Sequence, residues 1–192
     1  MSALAGPHPG DPFCALDKPD FLSSIHNGIE GWTIAYSPDL GVYPVQPEIA
    51  AVVEEAVKSF EEAGASVVEV DIDIDIDQKE LADLWCRLIM PLSLDAFSNL
   101  AEGGLDILGE HRSDLPPEFL RWADHVASMS AMEYFDDNSL RTQVFDALQA
   151  VLGEHRILVS PTLACMPVEN LTNGETRGPS VIEGVEVDPL IG

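Results

Sequence analysis

The strongest constraint on the fold is a strand, a helix and a second strand set close together between residues 31 and 70. Gly31-Trp32-Thr33-Ile34-Ala35-Tyr36 is a short β-branched and aromatic run closed by Ser37-Pro38-Asp39 and Gly41, the pattern of a buried strand ending in a turn. Pro47 then stands at a helix start, where its missing N–H costs nothing. Ile49, Val52, Val53, Ala56, Val57, Phe60 and Ala63 follow at helical spacing up to Gly64. Glu54, Glu55, Lys58, Glu61 and Glu62 fall on the outer face, with Glu54 and Lys58 in the favourable i, i+4 order. Ala65-Ser66-Val67-Val68-Glu69-Val70 is a second strand, so the three elements make a βαβ unit with a right-handed crossover.

Past this unit the pattern becomes helical. Leu81, Leu84, Trp85, Leu88, Ile89 and Leu92 trace one apolar face from Gln78 to about Leu100, with Pro91 expected to kink or break it. Gly103-Gly104 and Pro116-Pro117 separate this from a shorter helix around residues 118–126. Ser130-Ala131-Met132-Glu133 is a capping box, and the helix it starts runs through Leu140, Val144, Phe145, Leu148 and Val151 to Gly153. Ile157-Leu158-Val159-Ser160 reads as a third strand, ended by Pro161. The expected organisation is one incomplete domain. Residues 1–30 form an irregular lead-in, 31–77 the βαβ unit, 78–156 a mostly helical region, and 157–192 a strand and irregular tail that stops at Pro189-Leu190-Ile191-Gly192.

Charge narrows the function classes. In 192 residues, 34 acidic side chains face 9 basic ones, a formal net charge of −25, and the 46% hydrophobic content still provides for one core. Nucleic acid and anionic membrane are both repelled by such a surface. The acidic residues are scattered from Asp11 to Asp188 and only Lys18, Lys58 and Lys79 are lysines, so the acidity reads as a solvated coat adapted to high salt, a halophilic trait. Three cysteines, Cys14, Cys86 and Cys165, suggest neither a disulfide framework nor a metal site. With no signal-like start and no long apolar run, the expected location is the cytoplasm.

Two stretches invite chemical readings. Asp71-Ile72-Asp73-Ile74-Asp75-Ile76-Asp77 begins like a calcium loop, but from Asp71 the glycine and glutamate positions hold Ile76 and Ala82, and from Asp73 they hold Gln78 and Leu84. Alternation along a half-buried strand, isoleucines inward and aspartates in water, accounts for it instead. Ser23-Ser24 lacks the flanking glycines of a backbone oxyanion cradle and reads as a loop or helix end. The histidines His8, His26, His111, His125 and His155 stand in no motif, and Lys58 on an acidic face is a poor general base.

Gly10-Asp11-Pro12, the run from Gly31 to Gly41, Pro47-Glu48-Ile49, and the run from Phe60 to Val70 together resemble the amidase-signature family. Arg141-Thr142 in a long helix, followed by Ile157-Leu158-Val159-Ser160-Pro161-Thr162, stands in the same order as in family members, so the resemblance covers essentially the whole chain. It implies a partial α/β/α fold around a mixed central sheet, built from the βαβ unit, a helical region and the third strand. In that family a serine attacks an amide carbonyl, while a second serine, held by a cis peptide, and a lysine relay the proton. These residues precede the equivalent of Gly10-Asp11-Pro12, so none can be placed here, and an Asn- and Gly-rich segment would follow Gly192.

The resemblance therefore implies an amidase fragment with no catalytic residue, cofactor or metal of its own, inactive until joined with the remainder of the domain. A small-molecule amide would be the substrate of the intact enzyme. Trp85, Thr162 and Met166 are the substrate-pocket candidates, because in related enzymes the helical region and the loop after the last strand line the acyl side of the cleft; Trp85 fits a core stripe with Leu81, Leu84 and Leu88 equally well. The corresponding component of a glutamine-dependent tRNA amidotransferase shares the scaffold, although residues 42–48 and 160–168 are more similar to stand-alone amidases. A different alternative is a non-enzymatic module that pairs with itself or with a partner.

Overall fold

A computed structural model of the chain describes residues 1, 5–15, 17, 19–171 and 176–189; Lys18 and the terminal Leu190-Ile191-Gly192 lie outside them. The βαβ unit is present. β1 (Thr33–Tyr36) and β2 (Ser66–Glu69) pair in parallel, Ile34 opposite Val67, and α2 (Pro47–Glu62) crosses between them; a single turn, α1 (Phe21–Ser24), precedes β1. β3 (Ile157–Val159) pairs in parallel with the other side of β1, giving the order β2-β1-β3. A central strand of a parallel sheet is covered on both faces, and accordingly Ile34, Ala35 and Tyr36 are buried. On the outer face of α2, Lys58 pairs with Glu55 rather than Glu54, and this hydrogen bond raises its pKa above the ordinary lysine value.

The aspartate–isoleucine alternation departs from the expected strand. Burial alternates as anticipated, with Ile72 buried, Ile74 and Ile76 half-buried, and Asp71, Asp73 and Asp75 exposed, yet residues 71–77 join no ladder. β2 pairs with β1 alone, and β1 ends at Tyr36 before Ser37-Pro38, so no strand extends far enough to pair with them. Asp77 instead caps the next helix, accepting from the Glu80 N–H at 2.9 Å.

That helix, α3 (Gln78–Glu102), runs through Pro91 without the break that was one of the two outcomes expected there. Packing holds it: Cys86, Met90 and Leu94 bury against Phe119, Trp122, Ala123 and Val126 of α4 (Pro117–Ala127). Interior proline costs about 3 kcal/mol, which burial of several large apolar side chains at about 1.5–3 kcal/mol each can offset. α5 (Ala131–Glu154) starts at the capping box, Ser130 Oγ accepting from Glu133 N–H and Glu133 accepting from Ser130 N–H. Asp137 of α5 is buried and its two carboxylate oxygens share the Arg87 Nε–H, each at 3.0 Å, while Arg87 Nη2 donates to Glu80 at 2.6 Å. This pairing fixes the register of α5 on α3, because either charge left alone there would be desolvated without compensation.

The tail holds a feature unforeseen in the sequence: β4 (Val181–Ile182) and β5 (Val185–Glu186) form an antiparallel hairpin around Glu183-Gly184, both at positive φ. Gln78 Nε2 donates to the Glu186 carbonyl at 2.7 Å, and Arg121–Asp188 and Arg177–Glu118 ion pairs, each 2.7 Å, tie the segment to α4. Among the described residues, no helix is long and apolar enough to cross a membrane.

Candidate functional site

In open parallel sheets, ligands collect beyond the carboxyl ends of the strands where neighbours lead away in opposite directions. Here that place lies beyond β1 and β3. Ser37 N–H donates to the Val159 carbonyl at 2.9 Å, holding the two exits side by side. From β1 the chain turns sharply through Asp39, whose carboxylate accepts from Gly41 N–H at 2.7 Å and whose carbonyl accepts from Tyr43 N–H at 2.9 Å. Gly41 has φ +74°, and a Cβ there would stand 2.6 Å from the Ile72 carbonyl oxygen, so only glycine lets this turn lie against the aspartate-rich segment. From β3 the loop is held by Gln46, which donates through N–H to the Ala164 carbonyl and accepts from Met166 N–H, both at 2.8 Å.

These loops form part of the wall of a cavity of about 380 Å³. Gln78, Leu81, Ala82 and Trp85 of α3 line another wall, one face at helical spacing, and Ile182 and Val187 of the tail line a third. The lining is mostly apolar. Its polar groups are the Asp39 carboxylate, the Tyr43 and Thr162 hydroxyls and the Gln78 amide. Burial pushes the Tyr43 phenol above its ordinary pKa, so it stays protonated at neutral pH. Among the described residues, no lysine, arginine, histidine, serine or cysteine lines the cavity.

Two of the three sequence candidates, Trp85 and Thr162, meet at this cavity. Trp85 is 55% exposed and shares the cavity wall with Leu81, whereas Leu81 and Leu84 are buried. Met166 is 52% exposed and outside the lining, its backbone engaged by Gln46. Sequence reading missed Ile182 and Val187, both buried in the wall, because a two-residue hairpin strand is too short to show a period.

Of the hydroxyls and thiols elsewhere, the Ser23-Ser24 pair is engaged and Cys86 is shielded, while the Ser37 hydroxyl is fully buried and makes no hydrogen bond among the described residues. Ser23 and Ser24 lie in α1 and donate their hydroxyls to the Asp20 and Phe21 carbonyls at 3.0 and 3.1 Å. Cys86 is buried in the helical core, and desolvation pushes its thiol up to about 11, leaving almost no thiolate at neutral pH. Among the described residues, no cluster of histidine, cysteine, aspartate and glutamate is arranged to hold a metal ion.

Fold and cavity thus define an α/β protein with an apolar crevice at the carboxyl edge of a parallel sheet. No family model matches the chain. A solved bacterial aryl acylamidase of the amidase-signature enzymes superposes with a TM-score of 0.92 at 42% identity, over 99% of this chain and 39% of that one. An acylamidase of Rhodococcus erythropolis is 22% identical over 168 residues, 85% of this chain and 33% of the enzyme. The A component of the glutamyl-tRNA(Gln) amidotransferase of Heliobacterium modesticaldum is 36% identical over 70 residues, 36% of this chain and 14% of that protein. The chain belongs to the amidase-signature family, and it spans well under half the length of these relatives.

Proposed function

We propose that the chain forms the acyl-binding side of an amide-hydrolysing site, its cavity receiving the uncharged apolar or aromatic group of a small carboxylic amide. The observation that carries this reading is the 42% identity, over 99% of the chain, with an aryl acylamidase. The lining agrees with it: leucine, proline, valine and tryptophan side chains suit an apolar group, and Thr162 and Gln78 can meet the amide's polar atoms.

Cleavage needs an activated nucleophile, a base within reach and oxyanion donors. Among the described residues, the lining hydroxyls are those of Tyr43 and Thr162, with no lysine or histidine lining the cavity beside them. The chain by itself therefore binds an amide without cleaving it, and the serine–lysine machinery implied by the family is supplied by the remainder of an amidase domain. The amidotransferase alternative fits the cavity less well. Free glutamine carries a carboxylate as well as an ammonium group, and among the described residues the lining has Asp39 for the cation but no lysine or arginine for the carboxylate. A cytoplasmic setting and a salt-adapted surface belong to the same reading.

Titrating the purified chain with a neutral amide whose acyl group is aromatic, such as benzanilide, tests it. Saturable quenching of tryptophan fluorescence is expected, lost in Trp85→Phe, with no aniline released. Aniline release that tracks the purified chain would overturn the inactivity; no saturable binding, or quenching unaffected by Trp85→Phe, would overturn the pocket.

A further inference from the structure

The hairpin of β4 and β5 is a cavity wall that the central sheet does not hold. Among the described residues its two-residue strands pair only with each other, and a two-stranded hairpin is marginal by itself in water. It nevertheless brings Ile182 and Val187, both buried, to the cavity. Gly178 N–H donates to the Pro189 carbonyl at 2.8 Å and Val187 N–H to the Ser180 carbonyl at 3.0 Å, which closes the segment at its base. Its place in the molecule is set by ties to two helices. Besides Gln78 of α3, helix α4 holds it crosswise. Glu118 pairs with Arg177, just before β4, and Arg121, one turn further along the helix, pairs with Asp188, just after β5, each at 2.7 Å. The acidic side chains are the sheltered partners, Asp188 13% exposed and Glu118 21%, so solvent screens these pairs less than fully exposed ones. The Arg121 guanidinium also lies 5.0 Å from the centre of the Trp122 ring, which steers it.

Helix α4 buries Phe119, Trp122, Ala123 and Val126 against α3, and α3 carries the wall of Gln78, Leu81, Ala82 and Trp85. One helix therefore fixes the hairpin wall relative to the α3 wall. We infer that Glu118 and Arg121 are positioning residues for the cavity, and that through the hairpin they set its preference for large acyl groups over small ones. This rests on the reading of the cavity as an acyl-binding site. Neither residue lines the cavity, so each acts through Ile182 and Val187. An aromatic acyl group reaches several walls and gains from each in proportion to the apolar area it covers. An acetyl group is satisfied against fewer of them. A displaced hairpin takes contact from the first and little from the second.

Neutralising a surface pair changes little, so charge reversal is the sharper test. In Glu118→Arg and in Arg121→Glu, like charges face each other across the clasp. Benzanilide, followed by tryptophan quenching, should bind about tenfold more weakly to each, while the affinity for acetanilide changes less than about threefold. The swaps Glu118→Arg/Arg177→Glu and Arg121→Glu/Asp188→Arg should restore the preference, which general destabilisation would not do. Hydrogen exchange reads the clasp without any ligand: the Val187 amide should exchange about tenfold faster in the single reversals and return in the swaps, with the α4 amides unchanged. Unchanged exchange at Val187 in both single reversals overturns the clasp, as does failure of both swaps to restore it. Equal weakening of the two anilides overturns the selectivity. A native chain that binds neither anilide sinks the acyl-site reading and the selectivity with it, and exchange then still decides whether α4 holds the hairpin.

Discussion

At the scale of single residues, the site depends on side chains and hydrogen bonds that hold loops rather than on reactive groups. Gly41 and Gln46 touch no reacting atom, yet they set where the β1 and β3 exits run. Gly41→Ala combines a positive φ with a Cβ 2.6 Å from the Ile72 carbonyl oxygen, and the expected loss is about 2 kcal/mol or more, read from urea denaturation. An unchanged midpoint would mean that the turn relaxes freely. That a glycine closes this turn was legible in Ser37-Pro38-Asp39 followed by Gly41; that it does so against Ile72 was not, because the contact spans a helix and a strand. Trp85 shows the same limit. Helical spacing placed it beside Leu81 and Leu84, but only the assembled α3, β3 loop and hairpin decide that it lines a cavity.

At the scale of elements, local signals were decisive where they are chemically complete. The Ser130–Glu133 capping box formed as spelled, and Pro47 opened α2. Pro91 does not break α3 because local preference is outweighed by packing of α3 on α4, which no local window contains. The capping box also gives α5 a dependence on pH. Hydrogen bonding from the Ser130 backbone N–H, then its side chain, holds the Glu133 carboxyl below its ordinary value of 4.5. A group depressed in the folded state contributes stability that is complete above its unfolded pKa and is lost as pH falls through the folded one. The melting difference between the native chain and Glu133→Gln should therefore shrink as the pH is taken from neutral to below about 4. A difference constant across that range would show that the charge of Glu133 does not matter to the cap.

At the scale of the whole molecule, the acidic coat and the parallel sheet govern different properties. Spread over the surface, a net charge of −25 opposes compaction, so the melting temperature should rise from low to molar salt in a calorimetric scan. A flat response would remove the salt-adapted reading of the coat. The βαβ unit and third strand were legible from the sequence because each carries its own hydrophobic run. The order β2-β1-β3 was not, since nothing local says on which side of β1 the last strand adds.

That order has a consequence for how the molecule comes together. β1 finds β2 across a single helix, but Ile34 must wait for Ile157, with all of α2 through α5 lying between them along the chain. Closing so long a loop is entropically unfavourable until the intervening helices have collapsed. One wall of the cavity is the segment just past β3, so the cavity is complete only once that last strand has docked on β1.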